Sequence, residues 1–117
     1  MEHKSTEWGE WTVRQLRGRR RRLAAQATGI EALLRGRLVS QGRRCGKEGC
    51  RCAHGELHGP YLYLRVTRPG HRPRLVYVPA DLTEAVTAQV AAGSRLDVVL
   101  AEVAAINAEL LARRALG

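Results

Sequence analysis

Phenylalanine is absent from this chain, and tryptophan, tyrosine and methionine together supply only six of its 117 residues. A core must therefore be assembled from Leu, Val and Ala, which bury little apolar area per residue. Its stability is expected toward the low end of roughly 5–15 kcal/mol. Three cysteines cannot close into a full set of disulfides. No charged start followed by an apolar stretch and a small-residue cleavage site stands at Met1. Both features imply a reducing, cytoplasmic compartment. No apolar run approaches the roughly 20 residues of a membrane span, so no membrane partner is expected.

Acid is scarce too, with 11 Asp+Glu against 20 Lys+Arg, a net charge of +9. The imbalance is local. Residues 1–80 hold 17 Lys+Arg and 6 Asp+Glu, whereas residues 81–117 hold 3 and 5. A basic front suits polyanions, and an alanine-rich, near-neutral back suits helix packing. The length fits one small domain over residues 1–117.

The pattern reads as α+β. Residues 1–10 form a polar arm that Trp8 and Trp11 can anchor, and residues 11–35 a basic helical segment. Within it, Leu16, Leu23 and Ala27 share one face of a helix over 11–27, with Arg14, Arg17 and Arg21 on another. Thr28 and Glu31 have capping-box spacing, so residues 28–35 either start a second short helix or continue one bent at Gly29. Gly36 ends the helical segment, and residues 38–40 run extended.

Residues 60–79 read as a β-hairpin. Tyr61, Tyr63 and Arg65 alternate with Leu62, Leu64 and Val66. A helical tail follows over 81–116, split into two helices by Gly93. The first is capped by Asp81 with Glu84 and the second by Ser94 with Asp97. Leu96, Val99, Val103, Ile106 and Leu110 form a seam with 3-4 spacing, suited either to a homodimeric coiled coil or to packing within the chain.

Cys45, Cys50, Cys52 and His58 fall within residues 45–58, spaced C-x4-C-x-C-x5-H. Three thiolates and an imidazole complete a closed tetrahedral Zn2+ site. Gly46, Gly49 and Gly59 let so short a segment fold back. Arg43, Arg44, Lys47 and Arg51 favour the thiolate forms. His54 is the rival fourth ligand, strained by its closeness to Cys52. An iron–sulfur centre usually takes four cysteines. His54-Gly55-Glu56 matches the H-x-E start of a zinc deaminase signature, but the cysteines lie upstream rather than in a downstream P-C-x-x-C. With four protein ligands no position stays open, so the expected zinc is structural, with no catalytic residues and no enzyme activity.

Residues 35–78 resemble an uncharacterised prokaryotic domain family with the pattern C-G-K-x-x-C-x-C-x-x-G-x-x-H-G-P-Y. It stands here from Cys45-Gly46-Lys47 through Cys50, Cys52 and Gly55 to His58-Gly59-Pro60-Tyr61. His54 departs from it. Members of that family look like small proteins or appended domains often encoded among transposases and other mobile-element genes. The resemblance thus implies, by association, DNA work beside a transposase or recombinase partner.

The run Arg17-Gly18-Arg19-Arg20-Arg21-Arg22 is either a phosphate-contacting helix or a solvated face. Taken functionally, the expected nucleic-acid contacts are Arg14, Arg17, Arg19, Arg20, Arg21, Arg22, Arg43, Arg44, Lys47, Arg51, Arg65, Arg68, Arg72 and Arg74. Tyr61 and Tyr63 can stack on bases, but in a chain without phenylalanine the stronger expectation is that they pack on the metal loop or on the first helix. The leading expectation is zinc-stabilised binding of nucleic acid, DNA before RNA. A protein-interaction adaptor using the C-terminal helices is the alternative.

Overall fold

The computed structural model describes residues 8–51 and 55–117. The α+β expectation holds: helix α1 (Val13–Ala24), strands β1 (Gly36–Arg43), β2 (His58–Val66) and β3 (Arg74–Tyr77), a 3-10 turn (Ala80–Leu82) and helix α2 (Thr83–Ala112) follow in order. The strands form one antiparallel sheet in the order β1-β2-β3. The chain divides into two compact units, Met1–Glu31 with Ser94–Gly117, and Ala32–Gly93.

In the first unit α1 starts where its cap permits. The Gln15 backbone N–H donates to the Thr12 hydroxyl (3.1 Å), and the Thr12 N–H donates to Gln15 Oε1 (2.8 Å), closing a capping box. Leu16 and Leu23, one face of this helix, are buried with Trp8, Val99, Ile106 and Leu110. Trp11, Val13, Val103 and Ala115 pack against that cluster. The 3-4 seam expected from the sequence is thus taken up within the chain, through Val99, Val103, Ile106 and Leu110, while Leu96 is half-buried. The two tryptophans meet edge to face at 5.3 Å. Arg113 donates to the carbonyls of Trp8 (3.0 Å) and Trp11 while pairing with Glu109 at 2.7 Å, so it fastens the tryptophan segment to α2.

Several expected boundaries are corrected. α1 ends at Ala24 rather than near Ala27, and no second helix occupies residues 28–35. Glu31 cannot cap a helix when so few apolar residues follow, and a helix this short is not stable by itself. Gly36 opens β1 instead of ending a helix. The hairpin is two-thirds of a three-stranded sheet, since residues 38–40 pair with residues 62–64.

The tail is one helix, not two. Gly93 lies inside α2 and is buried. A Cβ there would overlap the Leu34 carbonyl oxygen, and the Leu34 N–H donates to the Gln89 carbonyl at 3.0 Å. Glycine at this position serves close backbone approach, and its helix cost of about 1 kcal/mol is too small to stop a 30-residue helix. No helix among the described residues is long and apolar enough to cross a membrane.

The two helical glycines should therefore respond in opposite senses. Gly18→Ala meets nothing closer than the end of the Arg22 side chain (3.5 Å) and is expected to stabilise by up to about 1 kcal/mol. Gly93→Ala is expected to destabilise by about 1–3 kcal/mol through overpacking, although alanine is the better helix former. Urea denaturation of both variants checks the opposed signs.

Candidate metal centre

β1 and β2 run side by side until Arg43 faces His58, with an irregularity in register between Gln41 and Arg43. The pairing closes the chain between those residues into a loop that must return to its start. Cys45 stands two residues past Arg43, and His58 is the first residue of β2. A turn in which the Cys50 N–H donates to the Lys47 carbonyl (3.3 Å) brings the second thiol back toward them. On the far side, Gly59 takes φ +102°, and a Cβ there would sit 2.7 Å from the Tyr61 nitrogen. Only glycine makes this entry to β2 without strain.

The outcome is a cluster. One donor atom each from Cys45, Cys50 and His58 lies within 4.8 Å of the others. Cys50 Sγ and His58 Nε2 are 3.1 Å apart. Tetrahedral zinc with bonds of about 2.3 Å to sulfur and 2.0–2.1 Å to nitrogen spaces its donors roughly 3.6–3.8 Å apart. The 3.1 Å pair is about half an ångström tighter than that spacing and no pair exceeds 4.8 Å, so the trio is compatible with a zinc-sized ion after a small adjustment. Both thiols are half-buried and His58 is exposed. The expected ligand Cys52 and its rival neighbour His54 lie outside the described residues.

Arg43, Lys47 and Tyr61 line the same open depression of about 400 Å³ as Cys45, Cys50 and His58. Among the described residues no carboxylate lines it. Arg51 borders a second depression with Gly49, Cys50, Gly55 and Glu56. The metal donors and part of the expected basic set are thus brought to one place.

The remaining basic residues separate by role. Arg19 grips Glu102 with two bonds (2.8 and 3.2 Å), Arg20 donates to Asn107 Oδ1 (2.7 Å), and Arg17 donates to the Ala115 carbonyl (3.0 Å). These arginines tie α1 to the end of the chain. Arg14, Arg21 and Arg22 are exposed. Arg68 donates to the Arg72 carbonyl (3.0 and 3.2 Å) and closes the loop between β2 and β3. Arg44, Arg65, Arg72 and Arg74 are exposed. Sequence reasoning missed Arg113, whose fork holds two tryptophan carbonyls. Its only signal was its place one turn after Glu109.

This chain belongs to the family described as a domain of unknown function (DUF6788), which matches residues 13–88. The match runs from the start of α1 through the whole sheet and the metal-donor loop into the first turns of α2. It agrees with the expectation of an uncharacterised family. No curated protein and no solved structure matches the chain.

Each of the three donors should be needed for tight binding of a divalent ion. Removing a residue that merely supports a ligand costs about 10–100-fold in metal affinity, so Cys50→Ser and His58→Ala are expected to lose at least about 100-fold. Competition against a chromophoric chelator, with Co2+ and Zn2+ as titrants, measures the loss.

Proposed function

We propose, taking family membership and the geometry of the trio as premises, that the chain is a non-catalytic, zinc-stabilised protein that binds nucleic acid, DNA in particular. The observation that carries this reading is the shared depression. Metal donors and the cations Arg43 and Lys47 border one surface that, among the described residues, contains no acid. A Zn2+ bound by Cys45, Cys50 and His58, with Cys52 as the fourth donor of the family-like pattern, has no open coordination position. Its work in this reading is to fix the loop, and the free energy of ion binding adds to a core poor in large side chains.

Phosphate binding then falls to the cations that structural bonds leave available. Arg14, Arg21 and Arg22 are exposed on α1, and Lys47, Arg51 and Arg65 on or beside the sheet, next to Arg43, which also holds Tyr63. Lys and Arg attract the backbone of any sequence by displacing counterions. The resemblance drawn from the sequence supports an accessory part beside a transposase or recombinase. One observation favours the adaptor reading instead. Leu100 and Leu111 are more than half exposed, and their eleven-residue spacing puts them on one face of α2.

Elemental analysis of purified protein is expected to return about one zinc per chain, and a strong chelator to lower the melting temperature. Fluorescence anisotropy with labelled DNA should show affinity falling with salt at a log–log slope near −5 if about six phosphates are neutralised. Absent or salt-insensitive binding would leave the adaptor.

A further inference from the structure

The sheet carries a face that structural packing does not explain. In an antiparallel sheet, residues opposite one another in register point to the same side. The pairs Arg37–Arg65, Val39–Tyr63, Gln41–Tyr61, Tyr63–Tyr77 and Arg65–Leu75 therefore define one face. The other face contains the buried Leu64 and the half-buried Leu38, Leu62 and Val66. That is the side turned inward, and the tyrosines are on the opposite side.

Three properties of the tyrosine face point to a ligand. Tyr61 is 37% exposed and Tyr77 53%, in a chain that has only five aromatic residues in all. The rings are held in orientation, because Tyr77 meets Tyr63 at 5.8 Å and Tyr61 at 6.3 Å, both edge to face. Arg43 donates to the Tyr63 hydroxyl (3.0 Å) and lies over its ring, 4.6 Å from the centroid. Tyr63 is thus the fixed, half-buried centre, with Tyr61 and Tyr77 as the accessible rings.

The charge on this face is of one sign. Arg37 stands directly opposite Arg65, both are exposed, and none of the paired residues named above is an acid. Like charges at facing positions destabilise a sheet. Such a pair is relieved by a polyanion laid across it.

We infer that this face is a stacking platform for single-stranded DNA, with Tyr61 and Tyr77 each receiving a base and Arg37, Arg43 and Arg65 following the phosphates. The inference rests on the nucleic-acid reading above and narrows it to unpaired strands. Duplex bases are stacked on one another at about 3.4 Å and offer no π face to a protein ring. The two rings meet at 76°, so bases stacked on them are turned away from one another, as only an unpaired strand allows. Stacking is indifferent to the sugar, and discrimination in favour of RNA uses contacts to the 2′-hydroxyl. The face itself does not read the sugar, so DNA is carried over from the nucleic-acid reading above and is tested against RNA directly.

Anisotropy of the full zinc-loaded chain with labelled oligo-dT, oligo-rU and a duplex of equal length tests the inference. Oligo-dT should bind tightest. Tyr77→Leu and Tyr61→Ala should each weaken it by roughly 5- to 150-fold, with the salt slope unchanged because no phosphate contact is lost. Tyr77→Phe, which keeps the ring, should restore binding, and thermal melts establish that each variant is folded. Duplex binding as tight as oligo-dT, or indifference to Tyr77→Leu in folded protein, overturns the platform while leaving the broader reading intact. Tighter binding of oligo-rU overturns the choice of DNA. Failure of every probe at low salt removes the broader reading as well.

Discussion

The pairing of β1 with β2 is the constraint on which the candidate site depends. Register places Arg43 against His58, and every residue between them is then committed to a loop with fixed ends. Without that ladder, Cys45 and His58 would be separated by a flexible stretch whose closure carries an entropic cost. With it, their donor atoms and that of Cys50 meet within 4.8 Å. A bound ion would in turn hold the strand ends together, so sheet and metal loop support one another. The irregularity beside Arg43 belongs to the same device. Bulge-like breaks re-aim side chains, and here the guanidinium ends over the Tyr63 ring instead of in open solvent.

The basic character of the chain resolves into two populations. Arg17, Arg19, Arg20 and Arg113 bond to Glu102, Glu109, Asn107 and backbone carbonyls. A core poor in large apolar groups gains support from such forks, since charge-assisted and bidentate bonds are stronger than neutral ones. The other arginines, among them Arg14, Arg21, Arg22 and Arg65, are exposed. A total of 20 Lys+Arg therefore overstates the charge available to a polyanion. Position within the fold decides it, and the run of four consecutive arginines is itself divided between the two uses.

Much of this architecture was legible in the residues, and the limits have physical causes. Alternation exposed β2, because period-2 patterning survives in a half-buried strand, whereas β3, exposed throughout, was marked only by the loop residues before it and Pro79 after it. Cys45, Cys50 and His58 were evident from ligand chemistry and density. β1 was only an extended segment, since Gly36–Arg43 mixes Gly, Ser, Gln and Arg and gains its strand character from its partner. Gly93 misled because helix-breaking and close-approach glycines look alike in sequence. The distinction lies in the Leu34 backbone, far along the chain. Thr28 and Glu31 carried a sound capping signal with no helix behind it, as local chemistry cannot supply the packing a short helix needs. Of the tyrosines expected to pack on the metal loop or on the first helix, Tyr61 lines the depression at the donors, and both it and Tyr63 lie on the outer face of the sheet.

That placement of Tyr61 bears on how the open face and the metal loop work together. Tyr61 both lines the depression beside Cys45, Cys50 and His58 and touches Tyr77 on the sheet face. His58 and Tyr61 are three residues apart on β2, separated by Gly59 at positive φ and by Pro60. On the proposed reading, metal binding and strand binding are coupled through this residue. An ion that orders the loop would also order one of the two stacking rings before the ligand arrives, reducing the entropy lost on binding. Tyr77, on β3 and remote in sequence from the donors, should be insensitive to the metal. The two rings, similar in chemistry, would then differ in what prepares them.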